Sequence, residues 1–314
     1  MLDFRFNGEI LCMGSINMDL VMVMEHLPVP GETIVTDNFS TYPGGKGGNQ
    51  AVTAAVQGSK VTMLSKLGGD SFSEQLIEAM RARGVDTSRI LRDREKTAGI
   101  AIIRVDRKGQ NSISFTPGSN AFLTPEDVLE NSDLFAPGKI LLLTMEISLE
   151  TIYAALRLAA KRGMFVIVDP APAPSTPFPA DIPQLIDIVK PNESEASALT
   201  GIEVRDEKSA EEAAKQLKEM GFKLPVVTLG EAGVIAWVDG SLLKIPPVKV
   251  ECVDTTAAGD VFSGTLASAL SLGRGLEEAL EIANCAGALS TTVAGAQTSI
   301  PDREEVERLF EKRV

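Results

Sequence analysis

The chain contains one histidine, His26, and three cysteines, Cys12, Cys252 and Cys285, among 314 residues. With a single imidazole in the loop-like stretch Glu25-His26-Leu27-Pro28, Ser-His-Asp chemistry and poly-histidine metal sites have almost no material. His26 itself reads as a surface loop residue. The cysteines show neither paired nor metal-type spacing, and each lies among apolar or small neighbours, so three buried, reduced thiols are expected, in keeping with a cytoplasmic protein. No apolar run approaches the roughly 18 residues of a membrane span, and Met1 to Ile10 lacks the basic-then-apolar pattern of a leader, so no membrane partner is expected. Basic charge is also short. Thirty Lys and Arg against 43 Asp and Glu give a net charge of −13, which leaves no large basic face and argues against a nucleic-acid partner. Any phosphate must therefore be held locally. Two familiar phosphate loops are absent as well: neither G-x-x-x-x-G-K-[ST] nor G-x-G-x-x-G occurs, which disfavours a P-loop enzyme and a dinucleotide dehydrogenase.

What the chain does have is 44% hydrophobic residues and a mean hydropathy of +0.09, enough to bury a large core. Short apolar runs at 10–14, 61–65, 140–144, 164–168, 185–189, 225–229 and 234–238, bounded by Gly, Pro or Asp, read as buried strands. Amphipathic stretches at 73–83, 150–162, 209–220 and 277–290 read as helices between them. This alternation predicts an α/β protein with a mostly parallel sheet covered on both faces, and no linker or repeat divides residues 1–314 into separate domains. Segments 20–43 and 97–117 break the pattern. There, Thr97 to Val105 and Ser112 to Phe115 flank the turn Asp106-Arg107-Lys108-Gly109, which predicts a hairpin with companion strands in a small projecting sheet, a lid. A hairpin of no functional consequence is the alternative.

Five constellations carry candidate chemistry. Val253 to Gly264 joins an expected strand, Val248 to Val253, to a helix through Ala257-Ala258-Gly259-Asp260. Small residues at a helix start let an anion approach free backbone N–H groups, while Asp260 could take a proton from an attacking hydroxyl; equally, Asp260 could cap its own helix. Tyr42 to Val52 places Gly45, Lys46 and Asn49 in a glycine-rich lead from irregular chain into a helix, suited to sugar hydroxyls or else to a tight packing turn. Asn17 and Asp19 follow the first strand at the carboxyl edge, where open α/β sheets bind ligands, and could read vicinal hydroxyls or simply form a turn. Glu146 is a similar strand-end carboxylate. Asn192 and Glu195 lie one helical turn apart, either as a capping box or with Glu195 holding Mg²⁺ through water. Thr228-Leu229-Gly230-Glu231-Ala232-Gly233 could carry an adenine nucleotide along its backbone or be a plain turn.

In order and spacing these segments resemble the ribokinase (PfkB) family of carbohydrate kinases from about residue 10 to 305. The paired signatures are 44–51 and 253–264, with Gly14-Ser15-Ile16-Asn17, Asp169-Pro170-Ala171-Pro172-Ala173 and Gly295-Ala296-Gln297 in support. The resemblance implies a three-layer α/β/α fold with a small β-sheet lid, a homodimer through the lid strands, and ATP-dependent phosphorylation of the 5-hydroxyl of D-ribose. The alternatives are 2-deoxyribose, a ketohexose or a nucleoside as acceptor, or a sugar-binding regulator without catalysis. It implies that Asn17, Asp19, Gly45, Lys46, Asn49 and Glu146 contact sugar, that Asp260 is the base, and that the amides of Ala257, Ala258, Gly259 and Asp260 form an anion hole. It assigns nucleotide contacts to Asn192, Thr228, Gly230, Gly233, Gly259 and Asn284, and Mg²⁺ and phosphate support to Glu195. A monovalent cation, K⁺, is assigned to Asp254, Thr256, Ser290, Val293, Gly295 and Ser299. Three departures stand out: Gly48 where Ala is commoner, Asn284 in place of His, and Thr256 in place of an aliphatic residue.

Overall fold

The structure is a computed structural model that describes residues 5–36, 38–238 and 240–313. Asp37, inside the expected lid segment, lies outside the described residues. The elements run β1 (Glu9–Met13), β2 (Asn17–Met24), β3 (Phe39–Gly44), α1 (Lys46–Val56), β4 (Lys60–Gly68), α2 (Ser71–Ala82), β5 (Ile90–Asp93), β6 (Gly99–Asp106) and β7 (Asn111–Thr116). They continue with α3 (Pro125–Glu130), β8 (Ile140–Thr144), α4 (Leu149–Lys161), β9 (Phe165–Asp169), β10 (Ile188–Val189), α5 (Glu193–Thr200), α6 (Glu207–Glu219), β11 (Leu224–Thr228), β12 (Val234–Val238) and β13 (Ser241–Ile245). Helices α7 (Ala258–Ser271), α8 (Leu276–Ser290) and α9 (Arg303–Glu311) complete the chain.

Alternate strand residues feed two separate cores, which is why the apolar runs are continuous rather than alternating. Ile10 and Cys12 of β1, Ile140 and Leu142 of β8, and Phe165 and Ile167 of β9 pack with Ala51 and Val52 of α1, Val261 and Leu266 of α7, and Leu280 and Ala283 of α8. Their neighbours Leu11, Met13, Leu141, Leu143, Val166 and Val168 face the other way, onto Ile152 and Leu156 of α4 and Ala210 and Leu217 of α6. The result is a sheet between two helical layers. Its strand order is β13-β12-β11-β10-β9-β8-β1-β4-β5, parallel from β11 to β5 and antiparallel only at β11–β12 and β12–β13. The chain steps from β1 to β4 on one side and to β8 on the other, so the topological switch opens beyond the carboxyl ends of β1 and β8, where a ligand crevice belongs.

A second sheet, in the order β3-β2-β6-β7, takes up the two segments that broke the alternation. Asp106 shapes its hairpin turn, since its Oδ1 accepts from Lys108 N at 2.8 Å and Gln110 N at 2.9 Å. Strand register puts Asn17, Asp19, Val21 and Val23 of β2 on one face with Ile103 of β6 and Ile113 and Phe115 of β7.

Four expectations are corrected. Residues 246–253 form no strand, because Pro246-Pro247 ends β13 and the following chain crosses to α8, where Val253 N and Asp254 N both donate to Thr291 O. Within 185–189 only Ile188 and Val189 pair, since a 3-10 turn starting at Pro183 occupies the approach. The lead into α1 is the strand β3 rather than irregular chain. Cys252 is exposed, whereas Cys12 and Cys285 are buried, and all three are free thiols. Among the described residues no helix is long and apolar enough to cross a membrane.

Candidate active site

Helix α7 begins at the carboxyl edge of the sheet with an unusual residue. Ala257 has φ 61°, the only positive φ at a non-glycine among the described residues, a conformation that costs an L-residue about 1–2 kcal/mol. Strain of this kind persists where the surrounding structure imposes it, and it collects at ligand sites. As the residue before α7, Ala257 offers no side chain to cap it. The N–H groups of Gly259 and Asp260 find no acceptor among the described residues, while Ala258 N turns back to Thr255 O at 3.2 Å. Of the amides expected to line a cradle, that of Ala258 is thus engaged within the loop.

Asp260 does not cap its helix. It is 5% exposed, its Oδ2 accepts from Asn49 Nδ2 at 2.9 Å and its Oδ1 from Gln50 Nε2 at 3.1 Å. Helices α1 and α7 come this close because of Gly264. A Cβ there would stand 2.6 Å from Thr53 Cβ and 2.7 Å from Gln50 O. Burial pushes the Asp260 carboxyl up to about 6, against the attraction of Lys46 and with the Asp169 charge adding to the rise. A carboxyl in that range is ionised at neutral pH and remains basic enough to receive a proton.

Around it lie groups suited to a polyol. Lys46 opens α1, its N–H donating to Glu146 Oε2 at 3.2 Å, an oxygen that also accepts from Ser15 Oγ. The Asp260 charge, with Glu146 adding, outweighs burial and drives the Lys46 ammonium well above its ordinary value. Asp19 is raised to about 6 by burial first, then by the charges of Glu146 and Asp260. Its carboxylate lies against Gly44, where a Cβ would come within 2.5 Å of Oδ2. Asn17 Oδ1 accepts from Asn120 Nδ2 at 2.8 Å, so its own Nδ2 is the end left for a ligand. Asn120 also bridges Ile16 N, Ile16 O and Pro117 O, tying the small sheet to the loop after β1.

The nucleotide candidates sit along the β10–β11 edge. Asn192 and Glu195 form the capping box that was one of the two sequence readings: Asn192 Oδ1 accepts from Glu195 N and Glu195 Oε2 from Asn192 N, each at 2.9 Å. Burial, then the Asp169 charge, raise the Glu195 carboxyl. Thr228 bridges to Asn192, and Gly230 and Gly233 bracket a 3-10 turn. Asn284 donates its amide to Pro246 O at 2.9 Å, which places it with the linker after β13 rather than in the Asp260 cluster. Asp254 clips two loops together, Oδ1 accepting from Thr256 N and Oγ1 and Oδ2 from Gly295 N. Burial opposes its ionisation, yet these bonds together lower its pKa. Ser290 and Ser299 are buried with hydroxyls donating to Gly287 O and Ala296 O, and Val293 is half exposed.

Four residues joined to this cluster carry no role in the sequence reading: Gln50, Asp169, Lys190 and Asn120. Gln50 and Asp169 stand inside segments that carry the family resemblance and Lys190 directly follows the expected strand 185–189, so position is a signal for them; Asn120 has none.

The profile described as pfkB family carbohydrate kinase matches residues 7–303. The chain is 38% identical over 299 residues to a ribokinase of Haemophilus influenzae, covering 95% of this chain and 97% of that one. It is 34% identical over 297 residues to a deoxyribokinase of Salmonella typhi, covering 95% and 97%. The structure of an Arabidopsis thaliana ribokinase complexed with ribose and ATP superimposes with a TM-score of 0.88 at 32% identity, covering 96% of this chain and 98% of that one. With the family profile spanning nearly its whole length and relatives above 30% identity end to end, the chain belongs to the pfkB family of carbohydrate kinases.

Proposed function

We propose that the chain is an ATP-dependent ribokinase, converting D-ribose and ATP to D-ribose 5-phosphate and ADP. The observation that carries this is the pairing, at one helix start, of a buried carboxylate with unbonded amides: Asp260, held by Asn49 and Gln50 instead of capping α7, next to the open N–H groups of Gly259 and Asp260. Asp260 takes the proton of the 5-hydroxyl as its oxygen attacks the γ-phosphorus, and the α7 amides and helix dipole stabilise charge on the moving phosphoryl group. Asn17, Asp19, Gly45, Lys46, Asn49 and Glu146 hold the sugar. Asn192, Thr228, Gly230, Gly233 and Gly259 border the nucleotide, with Asn284 at its far side.

Glu195 uses one oxygen in its cap and has the other for water-bridged Mg²⁺, an ion that takes few protein ligands; bound there with the phosphates, it neutralises their charge. A monovalent cation suits the loops clipped by Asp254, whose bonded carboxylate stays ionised and whose neighbours Thr256, Ser290, Val293, Gly295 and Ser299 bring oxygens; such an ion adds fixed positive charge beside the amides. Replacing K⁺ by tetramethylammonium should lower kcat at least several-fold, and equal rates in the two salts would remove this site.

The small sheet is read as a lid on one domain. The face carrying Asn17 and Asp19 continues into Val23, Ile113 and Phe115, which are 43, 56 and 49% exposed. Apolar side chains exposed so far along a sheet support a homodimer through the lid strands, and free thiols suit the cytoplasm. The acceptor is tested by kcat/KM for ribose, 2-deoxyribose, fructose and a nucleoside side by side, with the product's phosphate position read by 31P NMR. Ribose should lead by at least tenfold. A lead for 2-deoxyribose would transfer the assignment to a deoxyribokinase, and no transfer to any acceptor would leave a sugar-binding regulator.

A further inference from the structure

Beneath Asp260 lies a charged pair that the reaction scheme above does not use. Asp169, the last residue of β9, and Lys190, just after β10, are each 2% exposed and meet at 2.9 Å. A buried ion pair is a poor source of stability, because desolvating both charges consumes most of what their attraction returns. Its bonds point elsewhere. Asp169 Oδ2 accepts from Lys190 Nζ, from Ser263 Oγ at 2.9 Å, and from Gln50 Nε2 at 2.8 Å. The same Gln50 nitrogen donates to Asp260 Oδ1, and the same Lys190 ammonium donates to Gly259 O at 3.3 Å. Gln50 is fully buried.

We propose that Gln50, Asp169 and Lys190 are positioning residues for the phosphoryl transfer, a buried relay that registers the carboxylate of Asp260 to the amides of the first turn of α7. The inference rests on the assignment of Asp260 as the base. An amide is close to symmetric in shape, so Gln50 could as well present Oε1 to Asp260, which would repel it. Asp169, accepting from the same nitrogen, selects the donating orientation. Lys190 in turn neutralises Asp169, so that two carboxylates can share one amide donor without driving a proton onto Asp260. Its second bond fixes the carbonyl of the Gly259–Asp260 peptide. In a planar trans peptide this directs the Asp260 N–H the opposite way, into the cradle. The other charges that interact with Asp260, Lys46 on α1 and Asp19 on β2, belong to the sugar side, whereas Glu195 on α5, on the nucleotide side, feels Asp169, Lys190 and Lys46.

The test compares Gln50→Leu, Lys190→Met and the double change Asp169→Asn with Lys190→Met, each alone and in an Asp260→Asn background. Melting temperature, KM for both substrates, kcat and the pH profile of kcat/KM are measured. Gln50→Leu should keep both KM values within about threefold and lower kcat by about 10- to 100-fold, the loss expected for a displaced reacting group. It should also move the acid limb to higher pH, since a carboxylate that loses a donor binds its proton more tightly. Lys190→Met should shift the limb the same way by leaving Asp169 uncompensated. The double variant, which removes both charges of the pair and leaves neither uncompensated, folds even if Lys190→Met does not and should return the limb to within a few tenths of wild type. In the Asp260→Asn background Gln50→Leu should cost less than twofold more, because it acts only through Asp260. An unchanged kcat and limb in Gln50→Leu, or a full additional loss in the Asp260→Asn background, would overturn the relay. Near-normal turnover of Asp260→Asn alone would instead remove the base assignment, a different failure.

Discussion

Asp260→Asn should lower kcat by about 10³- to 10⁴-fold while leaving KM for the sugar within about threefold and raising the melting temperature. The size of the loss follows from what general-base catalysis contributes, at the upper end because the remaining catalysis in this site is positioning and charge stabilisation. Binding should survive because the substitution is isosteric and the neighbouring amide can adapt. Asn49 Oδ1 is buried without a partner, so the Asn49 side chain can turn over and accept from the new amide. The stability gain follows from linkage. The Asp260 carboxyl is raised from 3.8 to about 6 in the folded chain, so the fold prefers it protonated. That preference favours the native state fully below the unfolded pKa and is lost as pH rises through about 6. At pH 8 the ionised group therefore costs on the order of 1–3 kcal/mol, which the neutral Asn relieves. A variant that is both crippled and more heat-resistant is the signature of strain kept for function. The wild-type profile supplies a second check. Asp260 must be ionised to act, so kcat/KM should fall below about pH 6. Asp260→Asn with near-normal turnover would remove the base assignment outright.

The parts of this site that could be read in the sequence are those whose chemistry is written in the backbone. The Ala257-Ala258-Gly259-Asp260 turn and the Gly44 to Gly48 run announce themselves because close approach to an anion or to another chain segment demands small residues in a row. The layered sheet was legible for a related reason, since strands buried on both faces are continuous apolar runs of the right length. Where the reading failed, a local pattern was overruled by the path of the chain. Val248 to Val253 is apolar enough for a strand, but it follows two prolines at the sheet edge and is drawn to the end of α8. Cys252 goes with it into solvent. The relay under Asp260 escaped for a different reason. Gln50, Asp169 and Lys190 are separated by up to 140 positions and acquire meaning only when α1, β9 and β10 converge, and Asn120 likewise gains its role only on meeting Asn17. No spacing encodes such a meeting.

Gly45→Ala should be strongly disruptive, because both the backbone conformation and the neighbouring backbone exclude a methyl group there. Gly45 precedes α1 with φ 85° and ψ 131°, a region closed to L-residues, which by itself costs on the order of 1–3 kcal/mol. The added Cβ would also stand 2.7 Å from Asn17 N, 2.8 Å from Ser15 O and 2.9 Å from Ile16 Cα. These are backbone atoms of the crossover from β1 to β2 and cannot rotate out of the way. Relief must come from moving that crossover or the start of α1, where Gly48 N donates to Ser15 O at 2.9 Å and Asn49 N to Gly45 O at 2.8 Å. Both segments carry residues of the proposed sugar site, Asn17 and Asp19 on one, Lys46 and Asn49 on the other. Stability should therefore fall by about 3–5 kcal/mol, a drop of roughly 10 °C in melting temperature for a chain of this length, and KM for ribose should rise at least tenfold. Three residues along, Gly48→Ala provides the control. Its Cβ would meet only Gln297 Nε2 at 3.6 Å, Ile16 Cγ2 at 3.7 Å and Ser15 O at 3.9 Å, ordinary contacts, and within a helix Ala is favoured over Gly by about 0.5–1 kcal/mol. Gly48→Ala should thus melt at or slightly above wild type with unchanged KM. Thermal melts and ribose titrations on the two variants separate the arguments: equal behaviour would mean that the crossover yields freely, and that the glycine before α1 is not what holds the two halves of the sugar site together.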